Sequence, residues 1–200
     1  MNDARPIPTV TFRLNGHDVQ TATRPGERLS ETLRGPLGTK SVKIGCNAGD
    51  CGACTVLMDG DPICACLTPT HQAAHHSIET LEGLVADDPT TKALATRFED
   101  HGAAQCGICT PGMMVAATAL LRTKPAPKTK EVEDALGGVL CRCTGYRKII
   151  DAVRGRPLPT EDSDGTVGQA IPRTDGRDKV MGRESFCEDV APLDALEILL

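Results

Sequence analysis

Ten cysteines stand in this chain of 200 residues, and eight of them fall into two spaced sets. Cys46, Cys51 and Cys54 follow a C-x4-C-x2-C pattern, with Cys66 after eleven intervening residues; Cys106-Gly-Ile-Cys109 and Cys141-Arg-Cys143 make the second set. Nothing constrains the chain more, because each set has to be gathered by the fold around one point. Met1 to Val10 hold neither an apolar signal core nor a twin-arginine pair, and no run of about 18 apolar residues occurs. A cytoplasmic chain without a membrane span is therefore expected, and in that compartment so many cysteines read as metal ligands before disulfides. With no Trp, one Tyr and three Phe, the cores gain little aromatic area. A metal centre is one way for small cores to make up the difference.

Between the cysteines the chain divides into three parts. Val10, Phe12 and Leu14 alternate with polar residues, Asn15-Gly16 follows, and Val19, Thr21 and Thr23 alternate again, which predicts a β-hairpin. Glu27 to Leu33 is a short helix candidate, Thr55 to Met58 a strand, Asp59-Gly60 a turn, and Ile63 to Leu67 the returning strand. From residue 81 the pattern is helical: Ala93 to His101; a helix with Thr110 as cap and Pro111 in its first turn; Thr129 to Leu140; and Tyr146 to Val153. The expected fold class is α+β, with a small sheet domain over 8–80, a helical domain over 81–156, and a linker and extended arm over 157–200. The arm carries 4 basic and 10 acidic residues, so the formal charge of −5 belongs mainly to it. That balance argues against a nucleic-acid binder.

The spacing of the first set is that of plant-type [2Fe–2S] ferredoxins. Four thiolates around two irons make an anionic centre whose sulfurs need hydrogen-bond donors, and a short loop supplies these from its backbone N–H groups. Gly45, Gly49 and Gly52 are expected to let the chain curl closely around such a centre. Cys64 competes with Cys66 for the fourth position. For the second set a zinc site or a redox dithiol is the alternative, but zinc sites commonly pair two C-x2-C units, whereas the second pair here is C-x-C. A dithiol motif of the thioredoxin type needs a βαβ context, and these flanks are helical. Cys109 precedes a helix whose dipole would favour its thiolate.

Taken together, Gly45 to Thr55 (GCNAGDCGACT), the strand leading to Cys66, Gln105 to Gly112 (QCGICTPG) and Cys141 to Tyr146 (CRCTGY) resemble the small iron–sulfur subunit of the molybdenum hydroxylases, the xanthine dehydrogenase and aldehyde oxidoreductase family. The resemblance implies a β-grasp ferredoxin-like domain followed by a four-helix bundle, each with one [2Fe–2S] cluster. It implies metal ligation by Cys46, Cys51, Cys54 and Cys66, and by Cys106, Cys109, Cys141 and Cys143, with Cys64 and Cys187 left over. It further implies that Gln105 and Cys143 approach the molybdopterin of a partner subunit, and that electrons pass on to an FAD-binding subunit or an external acceptor. Gly168 to Asp189 looks like the opening segment of the molybdopterin-binding subunit, so the arm is expected to pack into that partner in a hetero-oligomer. The other function class is a free-standing two-cluster carrier, against which the second domain and the arm count. His71, His75 and His76 have no matching ligand frame and read as solvated or capping residues.

Overall fold

The computed structural model describes residues 7–158, 167 and 173–192. Parts of the 157–200 segment (159–166, 168–172 and 193–200), and with them the start of the Gly168–Asp189 resemblance, lie outside the described residues.

The first domain is a five-stranded mixed sheet with one helix, α1 (Leu29–Arg34), against it. The strands are β1 (Thr9–Leu14), β2 (His17–Ala22), β3 (Thr55–Met58), β4 (Asp61–Cys64) and β5 (Ser77–Glu79), in the order β2-β1-β5-β3-β4. The hairpin forms as expected, Phe12 pairing with Val19 and Leu14 with His17 across the Asn15-Gly16 turn. Alternation along β1 buries Val10, Phe12 and Leu14 and exposes the residues between, the period-two signature of a half-covered strand. β5, not anticipated in the sequence, runs parallel to β1 and antiparallel to β3, closing the sheet. A strand of three residues gives too little alternation to read.

The second domain contains α2 (Leu81–Asp87), α3 (Pro89–Asp100), α4 (Thr110–Thr123), α5 (Thr129–Leu136) and α6 (Arg147–Val153). Asp88 caps α3, its carboxylate accepting from the Thr90 N–H at 2.7 Å, with Pro89 in the first turn. Helix α4 is buried from Thr110 through Thr118, so it forms the centre of the bundle, as an apolar helix covered on every side must. Helix α2 was not expected, α3 begins at Pro89 and not at Ala93, and two further boundaries differ. α5 stops at Leu136 because Gly137-Gly138 breaks it. Thr110 is the first helical residue of α4, and Cys109 occupies the cap position.

The domains share an interface built on β3. Val56 packs into the core of the sheet domain with Phe12, Leu29, Leu33 and Ile78. Leu57, on the opposite face, belongs to the helical core with Leu84, Phe98, Met113 and Met114. Burying Leu57 fully stabilises the interface by about 2 kcal/mol. Arg122 of α4 reinforces it, reaching both Glu79 carboxylate oxygens and Asp88 at 2.9 Å.

Candidate metal centres

The loop from Gly45 to Cys54 leaves the sheet domain and returns into β3. Its first thiol, Cys46, is exposed, and three backbone N–H groups converge on its Sγ: Ala48 at 3.3 Å, Asp50 at 3.3 Å and Cys51 at 3.4 Å. Those donors, led by Ala48, lower the Cys46 thiol to about 7. Cys54 lies at the other extreme: burial raises it to about 12. Cys46 interacts with Cys51, and Cys54 with Cys66. The site thus divides into two pairs of thiols, one near the surface and one in the core.

The expected strand over Ile63 to Leu67 ends earlier, at Cys64. Cys66 sits in the turn that follows, where the Leu67 N–H donates to the Cys64 carbonyl at 3.0 Å. The turn buries Cys66 to 3% exposure and aims its own N–H at the Cys54 Sγ, 3.4 Å away. Cys64 also touches Cys54, but its thiol is directed at the Gly49 carbonyl at 3.9 Å.

The three loop glycines serve different ends. A Cβ on Gly45 would meet the Cys51 Sγ at 2.9 Å, and one on Gly49 would meet the Leu67 side chain at 2.4 Å. Gly52, expected to help the loop curl, takes φ +66° and also faces the other domain: a Cβ there would stand 2.0 Å from the Gly138 carbonyl oxygen.

The second set forms where the N-terminus of α4 meets the loop between α5 and α6. Cys143 and Cys106 are exposed, with their sulfurs 3.6 Å apart. Cys109 is buried and interacts with the half-buried Cys141. Here too the four thiols are two pairs. The Cys141 N–H donates to the Tyr146 hydroxyl at 2.8 Å, and that hydroxyl donates to the Val139 carbonyl at 3.3 Å. Tyr146 adopts φ +65°, and Thr144 lies 3.1 Å from the Cys141 sulfur. Thr144 and Tyr146 therefore shape the loop, a role the sequence signalled only through the CRCTGY run. Burial pushes the Cys109 thiol up, so desolvation outweighs the favourable helix dipole in the polypeptide itself. Gln105 is exposed next to Cys106. Of the interdomain histidines, His76 pairs with Asp59 at the surface.

These arrangements fit binuclear clusters. Each iron of a [2Fe–2S] unit takes two thiolates, which the two-plus-two grouping at each site provides. One tetrahedral zinc ion would instead draw all four thiolates around a single centre. Ligands must be deprotonated to bind metal, so loading the buried thiols of Cys54 and Cys109 releases protons. In the metal-free, reduced chain Cys46 is expected to alkylate fastest, with its rate rising through about pH 7, and Cys54 and Cys109 slowest. Mass spectrometry of timed iodoacetamide reactions checks this; equal rates at Cys46 and Cys54 would contradict the burial described.

The two sites are in direct contact. The Leu140 N–H, one residue before Cys141, donates to the Cys51 carbonyl at 2.9 Å. Nothing in the spacing of the cysteines foretold this link.

Comparison with known proteins agrees with this division. A family model described as a 2Fe-2S iron-sulfur cluster binding domain matches residues 12–78, and one described as a [2Fe-2S] binding domain matches residues 80–154. The nicotinate dehydrogenase small FeS subunit of Eubacterium barkeri is 48% identical over 146 residues, covering 73% of this chain and 92% of that protein. The xanthine dehydrogenase iron-sulfur-binding subunit of Escherichia coli O157:H7 is 44% identical, covering 76% of this chain and 96% of that one. The aldehyde oxidoreductase of Desulfovibrio gigas superposes with a TM-score of 0.81 at 32% identity, over 92% of this chain but 22% of that far longer one. A match of that extent reaches past residue 156 into the C-terminal segment.

Proposed function

Because the chain belongs to the iron–sulfur subunits of the molybdenum hydroxylase family, which includes xanthine dehydrogenase and aldehyde oxidoreductase, we propose that it is the two-cluster electron relay of such an enzyme. It has a non-catalytic role within an oxidoreductase. It links a molybdopterin-binding catalytic partner to a flavin subunit or an external acceptor.

When bound, each [2Fe–2S] cluster supplies reversible one-electron chemistry. In the sheet domain Cys46 and Cys51 would hold one iron and Cys54 and Cys66 the other. In the helical domain the pairs are Cys106 with Cys143 and Cys109 with Cys141. The chain does the rest. It buries Cys54, Cys66 and Cys109 away from water with Cys141 half-buried beside Cys109, donates backbone N–H groups to the Cys46 sulfur, and leaves Cys106 and Cys143 at the surface where a partner reaches them. Gln105 and Cys143 form the edge proposed to face the partner's molybdopterin. The observation that carries the reading is the hydrogen bond from the Leu140 N–H to the Cys51 carbonyl, which joins the two ligand loops through a short bonded path. Two unrelated metal sites would not need such a link. In the helical bundle, among the described residues, no helix is long and apolar enough to cross a membrane.

Anaerobic purification of the complex, followed by metal analysis and paramagnetic resonance of the dithionite-reduced protein, tests the reading. About four iron and four sulfide per chain are expected, with two distinct signals, together with a co-purifying chain that holds molybdenum. Zinc without sulfide would reject it.

A further inference from the structure

Residues 173–192 fold back onto the chain's own body instead of standing off as an extended arm. They form α7 (Gly176–Val180) and α8 (Cys187–Val190) and contact both domains. Val180 is fully buried in the helical core, and Arg177 pairs with Glu99 of α3 at 2.9 Å. Gly182, at φ +70°, lies so close to Ser41 that a Cβ would meet its side chain at 2.9 Å.

Two of these contacts fall on the ligand loops. Asp189 is 4% exposed and holds two cations, Arg34 at 2.7 Å and Lys43 at 2.9 Å, whose side chains are 9% and 5% exposed. Burial opposes its charge, but Lys43, the Phe186 N–H and Arg34 outweigh that and hold the Asp189 carboxyl at about 2. Lys43 also lies over the Phe186 ring, 4.6 Å from its centre, and donates to the Glu184 carbonyl at 3.3 Å. The backbone of Lys43 closes the neck of the Cys46–Cys54 loop, its N–H donating to the Ala53 carbonyl at 3.2 Å. Arg34 meanwhile donates to the Val42 carbonyl at 2.9 Å. Asp189 therefore grips both cations that set the entry to the first ligand loop. At the second site the methylenes of Lys179 lie on Gly107, inside the Cys106–Cys109 turn, where a Cβ would meet them at 2.9 Å. Gly107 takes φ +94°. The Lys179 side chain is 5% exposed, and its ammonium is bound to Asp175 at 2.6 Å.

We propose that residues 173–190 are an intramolecular strap that positions both cluster-bearing loops, with Asp189 acting on the ferredoxin-type loop and Lys179 on the Cys106–Cys109 turn. Both are positioning residues, since neither is a ligand. A buried acid that holds two cations is costly to break from one side, so the strap stays docked while both charges are met. The proposal rests on the two-cluster reading above.

The test uses the full chain with both clusters loaded, its two signals assigned beforehand with Cys106→Ser. Asp189→Asn is expected to shift the midpoint potential or line shape of the ferredoxin-type signal and to speed iron release from that site to a chelator roughly tenfold, leaving the other signal unmoved. Asp189→Glu restores most of the parent behaviour. Lys179→Met keeps the methylenes and removes the charge. It is expected to move the helical-domain signal to a more negative potential and leave the ferredoxin-type signal in place. Should both variants keep the parent potentials, line shapes and release rates, the strap proposal is overturned while the two-cluster reading stands. A parent chain with fewer than two clusters overturns both.

Discussion

Replacing Cys106 by Ser is expected to abolish one of the two paramagnetic signals of the reduced protein and to spare the other, with iron and sulfide falling to about half. The expectation follows from where the thiols lie. Cys106, Cys109, Cys141 and Cys143 are carried by the start of α4 and the loop before α6, and the buried Cys109 packs in the helical core. Cys54 and Cys66 pack in the other core, with Phe12, Leu29 and Val56. Losing a ligand in one core leaves the other set of four intact. Cys109→Ser should act the same way with a larger loss of stability, because it leaves a hydroxyl at a 9% exposed position without its metal. A Cys64→Ser chain should keep both signals, since Cys66 is the thiol turned into the core. Loss of both signals from any single change in the helical set would show that the two sites do not load independently.

The second large effect is expected at Gly52. Its φ of +66° already disfavours any side chain, and a Cβ would stand 2.0 Å from the Gly138 carbonyl oxygen and 2.9 Å from the Val139 Cα. Both of those neighbours are backbone, so neither can swing aside. Gly112 of α4 approaches from the same direction, its own Cβ position being 2.5 Å from the Gly52 carbonyl oxygen. Gly52→Ala is therefore expected to push the ligand loop off the helical domain and to break the Leu140–Cys51 hydrogen bond. The cost is roughly 3–5 kcal/mol, from left-handed strain and overpacking together. In a chain of this size that corresponds to a fall in Tm of about 6–20 °C. Gly60→Ala is the control, because Gly60 also has positive φ (+93°) but open space around it. It bears the backbone strain alone, about 1–2 kcal/mol. Equal losses for the two variants, measured by thermal unfolding of the loaded protein, would mean the domains are not in tight contact at Gly52. Intramolecular electron transfer between the two centres should slow in Gly52→Ala and stay at the parent rate in Gly60→Ala.

Several parts of this fold were legible because their signals are local. Asn15-Gly16 between two alternating runs dictates a hairpin whatever surrounds it. Thr110-Pro111 marks the start of α4 to within one residue. The cysteine spacings mark two candidate sets directly, while the choice of Cys66 over Cys64 rests on the family resemblance. Other parts were hidden because they depend on residues far apart. β5 is three residues long and exists because β1 and β3 both pair with it. The apolar run Ile63 to Leu67 reads as a strand through Cys66. The chain turns there instead, and the turn is what brings the Cys66 N–H to the Cys54 sulfur. The C-terminal segment is acidic and rich in breakers, which reads locally as an unpacked arm. Its described part is held by Arg34, Lys43, Glu99 and Gly107, none of them near it in sequence.

What the amino-acid sequence determined by itself is therefore the inventory: two sets of four thiols, a sheet domain and a helical domain to carry them, and glycines where the backbone must bend. Spacing along a chain governs which atoms meet within a loop of about ten residues, because bond lengths and a few dihedral angles limit the reach. Tertiary structure alone decided the geometry between loops. It divided each set into two pairs, sank Cys54, Cys66 and Cys109 into apolar cores, brought the Cys51 carbonyl to the Leu140 N–H, and laid Asp189 and Lys179 on the two ligand loops. Those distances are set by how β3 presents Val56 to one core and Leu57 to the other, so that both domains pack against a single strand.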